Sequence, residues 1–220
     1  MNRDDTFLHP SLVLEDVGVA GQGYISTADI KRHENLLVEN IHFTPFDFGM
    51  SSWSATVRFA RLLRARDPAG LDQLHHGKSA ADVEEIRTEL TTDRFLTVPA
   101  AEFPQLALDI ARLSQNQWEK VIKGGNKGRA ADRRILYLGF KLSKFNHSCE
   151  PNTTWTVRKV PRTDSFVVTL KAKRNIKAGE EVTVSYLSST DLHKNRIERR
   201  EKLSFSWHFD CMCSLCVKNE

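Results

Sequence analysis

Residues 146–152 read Asn146-His147-Ser148-Cys149-Glu150-Pro151-Asn152, and the cysteine in this stretch poses the first question about the chain. The other three cysteines stand together near the C-terminus, in Phe209-Asp210-Cys211-Met212-Cys213-Ser214-Leu215-Cys216. Three thiols at C-x-C-x2-C spacing are one short of the four ligands that a closed tetrahedral zinc site needs. Cys149 would complete the set with no cysteine left over, provided the fold brings the two stretches together. The alternative is a buried free thiol at Cys149 beside an unrelated C-terminal cluster. Spacing alone leaves both readings open.

Cysteines gathered in this way suit metal binding in a reducing compartment better than a disulfide framework. With 220 residues, 40% hydrophobic and 27% charged, the chain has the composition of one globular domain with a real core. A net charge of +4 is too mild to imply nucleic acid by itself, although it suits an acidic surface. No run approaches a membrane span, and Met1-Asn2-Arg3-Asp4-Asp5 opens without an apolar signal core. Nucleus or cytoplasm, with no membrane partner, is the expected location.

Outward from the opening stretch, the pattern predicts an α+β fold. Leu12–Leu14, Gly21–Ile25 and Leu36–Val38 read as short strands, the second beginning at a Gly-x-Gly turn. Residues 54–66, 80–90 and 104–113 carry helical periodicity, punctuated by Pro68, Pro99 and Pro104. Lys123–Arg134, with five Lys/Arg against one Asp, reads as a solvated surface loop. Strands return after Thr153, where two period-two runs flank Pro161-Arg162-Thr163-Asp164 as a hairpin. Glu181–Tyr186 reads as a further strand, and Thr190 as the N-cap of a charged helix reaching Leu203. Strands and helices do not alternate as βαβ units, which excludes a dinucleotide-binding Rossmann fold.

The Asn146–Asn152 stretch resembles the N-H-S-C-x-P-N motif of SET-domain lysine methyltransferases. Gly179-Glu180-Glu181-Val182-Thr183-Val184-Ser185-Tyr186 is similar to their second motif, and Gly21-Gln22-Gly23-Tyr24-Ile25 to their opening one. Members with a post-SET tail continue with three cysteines that share one zinc with the cysteine of the first motif. The resemblance therefore implies one structural zinc on Cys149, Cys211, Cys213 and Cys216. It implies a SET fold of short sheets with a threaded, pseudoknot-like segment. The SET domain would span residues 1–205, with a helical insertion at about 54–115, and residues 206–220 would form the zinc-binding tail.

The implied activity is transfer of a methyl group from S-adenosylmethionine to a lysine of a protein substrate, a histone tail or another protein, with a role in chromatin regulation. Tyr186 would be the catalytic residue, whereas a tyrosine in such a strand otherwise fills core. Gly21, Gln22, Gly23, Tyr24, Asn116, Asn146, His147, Tyr186 and Phe209 would bind the cofactor. Tyr186 and Trp207 would wall the lysine channel, and tryptophan adds an aromatic face but no phenol hydroxyl. Glu180 and Glu181 would act structurally.

The detail is most similar to the SET-and-MYND branch, with two departures. About ten residues, His42–Ser51, stand where that branch carries a cysteine- and histidine-rich finger, and they hold no cysteine. The helical C-terminal domain of those relatives is not expected after Cys216 either, so an accessory partner would supply substrate selection. The rival expectation is a catalytically silent SET module acting as a protein-interaction scaffold. A nucleic-acid binder driven by the basic loop ranks below both.

Overall fold

A computed structural model describes residues 6–46, 51–74, 78–93, 98–122, 133–163 and 165–218. The first elements are β1 (Phe7–Leu8), β2 (Leu12–Asp16), β3 (Gln22–Ser26) and β4 (Asn35–Phe46). Helices α1 (Ser52–Arg66), α2 (Pro68–Asp72), α3 (Ala80–Thr92) and α4 (Phe103–Asn116) follow. Then come β5 (Trp118–Ile122), β6 (Arg133–Leu138), β7 (Thr153–Lys159) and β8 (Phe166–Ala172). Helices α5 (Ser189–Leu192), α6 (Arg196–Trp207) and α7 (Ser214–Val217) end the described chain. The chain divides into two units, Met1–Ile41 with Lys141–Glu220 and His42–Phe140.

In the first unit β2 and β3 form an antiparallel pair with Val13 opposite Ile25. Their connection needs Gly18 at φ 80° and Gly21 at φ 74°, a left-handed backbone that glycine adopts without steric cost. The leading part of β4 pairs with β8, Val38 opposite Thr169, and β8 pairs with β7, Val157 opposite Val168. Period-two alternation turns Phe166, Val168, Leu170 and Ala172 inward, as the hairpin reading expects. Ile30, Leu36, Leu37, Leu142, Phe145 and Ile176 share this unit's buried interior.

Glu181–Tyr186 is not the strand its pattern suggests. It makes only isolated bridges, antiparallel from Glu181 to Ile25 and parallel from Val184 to His147. Val182 N–H donates to the Tyr24 carbonyl at 2.8 Å, and Val184 N–H to the Asn146 carbonyl at 2.9 Å. Asn152 adds a clamp, donating to the Glu181 carbonyl at 2.8 Å and accepting from Thr183 N–H at 2.9 Å. The segment is thus hydrogen-bonded to β3 and to the 146–152 loop. Val182 and Val184 are fully buried, so the apolar positions mark a pinned segment and not a ladder.

Thr190 is not the N-cap. Ser188 caps α5 by accepting from Asp191 N–H at 3.1 Å, and α6 begins at Asn195, in a capping box with Glu198. Two capping side chains make two helices where one was expected.

The second unit holds helices α1–α4, with α1, α3 and α4 where the periodicity expects them and α2 not foreseen. Ser51 caps α1, Ser79 and Asp82 box α3, and prolines open α2 and α4. Phe59, Leu63, Leu71, Leu90, Leu106, Ile110 and Leu113 fill its core. The antiparallel pair β5–β6 was not foreseen, and His42–Phe46 forms the trailing part of β4, paired with β6. In β6 Ile135, Leu136, Tyr137 and Leu138 are all buried, so no alternation betrays the strand. Arg133 and Arg134, assigned to the basic loop, lie in β6, and Arg134 pairs with Glu119 at 2.7 Å. The rest of that loop, residues 123–132, lies outside the described residues, as do residues 47–50.

Candidate active site and metal centre

The two cysteine stretches meet. The Sγ atoms of Cys149, Cys211, Cys213 and Cys216 all lie within 4.8 Å of one another. Cys149 is 3.6 Å from Cys216 and 3.9 Å from Cys211. Thiolates bound to zinc at about 2.3 Å sit about 3.8 Å apart at the corners of a tetrahedron, so the donor set fits a structural zinc. Local geometry prepares it. His208 takes the left-handed conformation that ends α6 at φ 58°, and Cys213 caps α7, its carbonyl accepting Cys216 N–H at 2.8 Å.

His147 joins the cluster to Tyr186. Its Nδ1 accepts Tyr186 N–H at 3.0 Å, which leaves the proton of the neutral ring on Nε2, 3.4 Å from Cys149 Sγ. Burial lowers the His147 pKa to about 4, so the ring is neutral at physiological pH. The Tyr186 hydroxyl donates to the Phe145 carbonyl at 3.0 Å. Burial, with the Glu181 charge adding to it, raises the Tyr186 pKa, so the phenol keeps its proton.

Aromatic rings gather here. Tyr186 lies 5.4 Å from Trp207 and 6.2 Å from Phe209 between centroids, the latter pair nearly perpendicular at 89°. Phe209 is 5.9 Å from His147. The Asn146 amide donates to the Gln22 carbonyl at 3.2 Å and to Glu181 at 2.9 Å. Gly23 sits so close beneath them that a Cβ would approach Asn146 Nδ2 to 2.6 Å. Gly21, in contrast, faces open space. Tyr24 is buried, its ring 4.5 Å from Phe145, and its carbonyl accepts Val182 N–H at 2.8 Å. Asn116 belongs to the helical unit, ends α4, and donates to the Arg112 carbonyl at 2.8 Å.

Glu180 pairs with Arg174 and accepts Lys177 N–H at 3.0 Å, which agrees with its structural reading. Three contributors escaped the sequence. The Phe145 carbonyl carries no side-chain signal. Asn152 stands inside the motif and could have been singled out. Arg199 is one of several arginines in α6, and only the fold turns it toward Cys216.

Residues 21–187 match the SET domain family, a span that takes in Gly21, the Asn146–Asn152 loop and Tyr186. The chain belongs to the SET-domain family. Over 95 residues this SET chain is 39% identical to a SET and MYND domain-containing protein of Dictyostelium discoideum, covering 42% of the chain and 16% of that protein. Over 80 residues it is 42% identical to the histone-lysine N-methyltransferase set5 of Schizosaccharomyces pombe, covering 36% of the chain and 22% of that protein. The match thus spans less than a quarter of either relative's length. Among solved structures, the SET domain of LSMT bound to lysine and AdoHcy superposes with a TM-score of 0.53. It is 16% identical, with 91% of this chain and 53% of that one covered, a likeness of fold alone. No helix among the described residues is long and apolar enough to cross a membrane.

Proposed function

We propose that this SET chain is a protein lysine N-methyltransferase that uses S-adenosylmethionine and one structural zinc, and that it acts in the nucleus or cytoplasm. The observation that carries the reading is the Tyr186 hydroxyl, anchored on the Phe145 carbonyl beside the His147, Trp207 and Phe209 rings. Bound S-adenosylmethionine supplies an electrophilic methyl group on a sulfonium sulfur. Gly21 at φ 74° leaves backbone open to the cofactor's amino-acid end, and the perpendicular Tyr186 and Phe209 rings make a corner suited to its planar base. Gly23, Asn146 and Glu181 brace that wall.

A lysine amine has an ordinary pKa of about 10.4 and must lose a proton before it can attack carbon. Apolar walls such as Trp207 lower that pKa by desolvation. The Tyr186 proton is committed to Phe145, so toward substrate its oxygen acts as an acceptor that orients the amine or takes weak C–H contacts. A hydroxyl that keeps its proton is a positioning contact and no base. Neutral His147 has its one acceptor occupied by Tyr186 N–H, so it does not carry the proton either.

Residues 206–220 act as the tail that the zinc holds in place, carrying Trp207 and Phe209. The substrate is a protein lysine, of a histone or another protein, and an accessory partner selects it. The test is transfer of labelled methyl to core histones and to a methyl-poor lysate, wild type against Tyr186→Phe. Label on lysine that falls at least tenfold in the variant supports the reading. A zinc-loaded chain that neither binds S-adenosylmethionine nor transfers label would be the silent scaffold instead.

A further inference from the structure

Arg199 is 5% exposed and lies in the opening turn of α6, at the positive end of the helix dipole. Both placements disfavour a cation. Among the described residues no carboxylate pairs with it. Its Nη1 donates to the Lys194 carbonyl at 2.6 Å, which fixes the side chain, and its Nη2 lies 3.6 Å from Cys216 Sγ. Four thiolates around one divalent ion leave two negative charges in excess, in a place where three of the four cysteines are buried. A buried anion of that size calls for a cation, and a buried Arg199 calls for an anion.

We propose that Arg199 is the built-in counter-cation of the metal centre: its guanidinium donates to Cys216 and offsets the excess charge of the four-thiolate site, so that the chain's affinity for zinc depends on it. The inference rests on the metal reading above and extends it to a residue outside the ligand set. His147 is the complementary donor, its Nε2–H on Cys149, so two ligand sulfurs each receive an N–H. Arg200, the next residue, is a different case. Its guanidinium meets the Cys211 carbonyl at 3.1 Å and the Met212 thioether, neither of which carries charge.

The experiment measures zinc per chain and then zinc affinity by competition with a chromophoric chelator, for wild type, Arg199→Gln, Arg199→Lys and Arg200→Met. Outer-shell partners of metal ligands are worth about 10–100-fold in affinity, and Arg199→Gln is expected to lose that much. Arg199→Lys keeps the charge without the planar fork and is expected to fall between Arg199→Gln and wild type. Arg200→Met is expected to stay within about threefold of wild type, because its guanidinium meets the Cys211 carbonyl and the Met212 thioether, neither of them a ligand sulfur. Wild-type affinity in Arg199→Gln would overturn the proposal, as would equal losses in the Gln and Lys variants or in Arg200→Met. If neither Arg199 variant folds in excess zinc, the position needs shape and not charge, and the proposal fails. A wild-type chain without zinc would overturn the metal reading together with this inference. A zinc-loaded chain that depends on Arg199 but transfers no methyl group would overturn only the enzymatic reading.

Discussion

In the helical unit the carboxylate of Asp109, 1% exposed, receives Arg64 at 2.8 Å, Gln105 at 3.0 Å and Arg112 at 3.1 Å. Asp72 accepts from Arg64 Nη2 at 2.8 Å and from Arg112 Nη1 at 2.9 Å. Every charge of that network meets its opposite within the unit. In the other unit Arg199 is buried almost as deeply, yet its neighbours are thiols and a carbonyl. The first arrangement balances its charges as the polypeptide alone. On the proposed metal reading, the second becomes balanced when the cysteines ionise around the ion. The difference separates a region whose stability is set by its own side chains from one whose order is linked to a ligand.

The largest expected effect comes from removing the metal. Cys213→Ser, or chelation, is expected to abolish zinc and S-adenosylmethionine binding, read by titration calorimetry, while far-UV circular dichroism retains the signal of α1, α3 and α4. Unchanged cofactor affinity in metal-free protein would break the comparison at its root. Next is Asp109→Ala, which leaves Arg64 and Arg112 to share Asp72 alone and is expected to cost about 3 kcal/mol, read from the urea midpoint. Zinc affinity should stay at the wild-type value in that variant. A parallel loss of zinc would show that the two charge networks are not independent.

The smallest effect belongs to the exposed pair that anchors the pinned segment. The Arg174 hydrogen bond, above all, holds the Glu180 carboxyl below the usual carboxylate range. A carboxylate with a depressed folded pKa adds stability above its unfolded pKa and loses it as the pH falls through the folded value. Arg174→Ala should therefore cost less than about 1 kcal/mol at neutral pH, because both partners are partly exposed and screened. Denaturation curves of variant and wild type should begin to converge near the ordinary glutamate pKa of about 4.3 and meet once the pH is below the depressed folded value. A gap that persists in acid would mean that Arg174 acts through packing and not through Glu180.

The sequence alone determined the motifs, the count of four cysteines, the helical insertion and the β7–β8 hairpin. Each rests on short-range order, either a period of two or 3.6 residues or a run of neighbours with one chemistry. It also named most residues that the first unit gathers, because Gly21–Tyr24, Asn146, His147, Tyr186, Trp207 and Phe209 fall inside or beside such runs. The tertiary structure alone decided the rest, since it depends on contacts between distant positions. Cys149 meets Cys211 across 62 positions. Glu181–Tyr186 has strand composition but no ladder of its own, because its hydrogen bonds are divided between β3 and the 146–152 loop. The proton of His147 is placed by Tyr186 N–H. Of Arg196, Arg199 and Arg200, only the packing of α6 selects Arg199 to face the thiols: identity is written in the chain, but direction is settled by what each side chain is folded against.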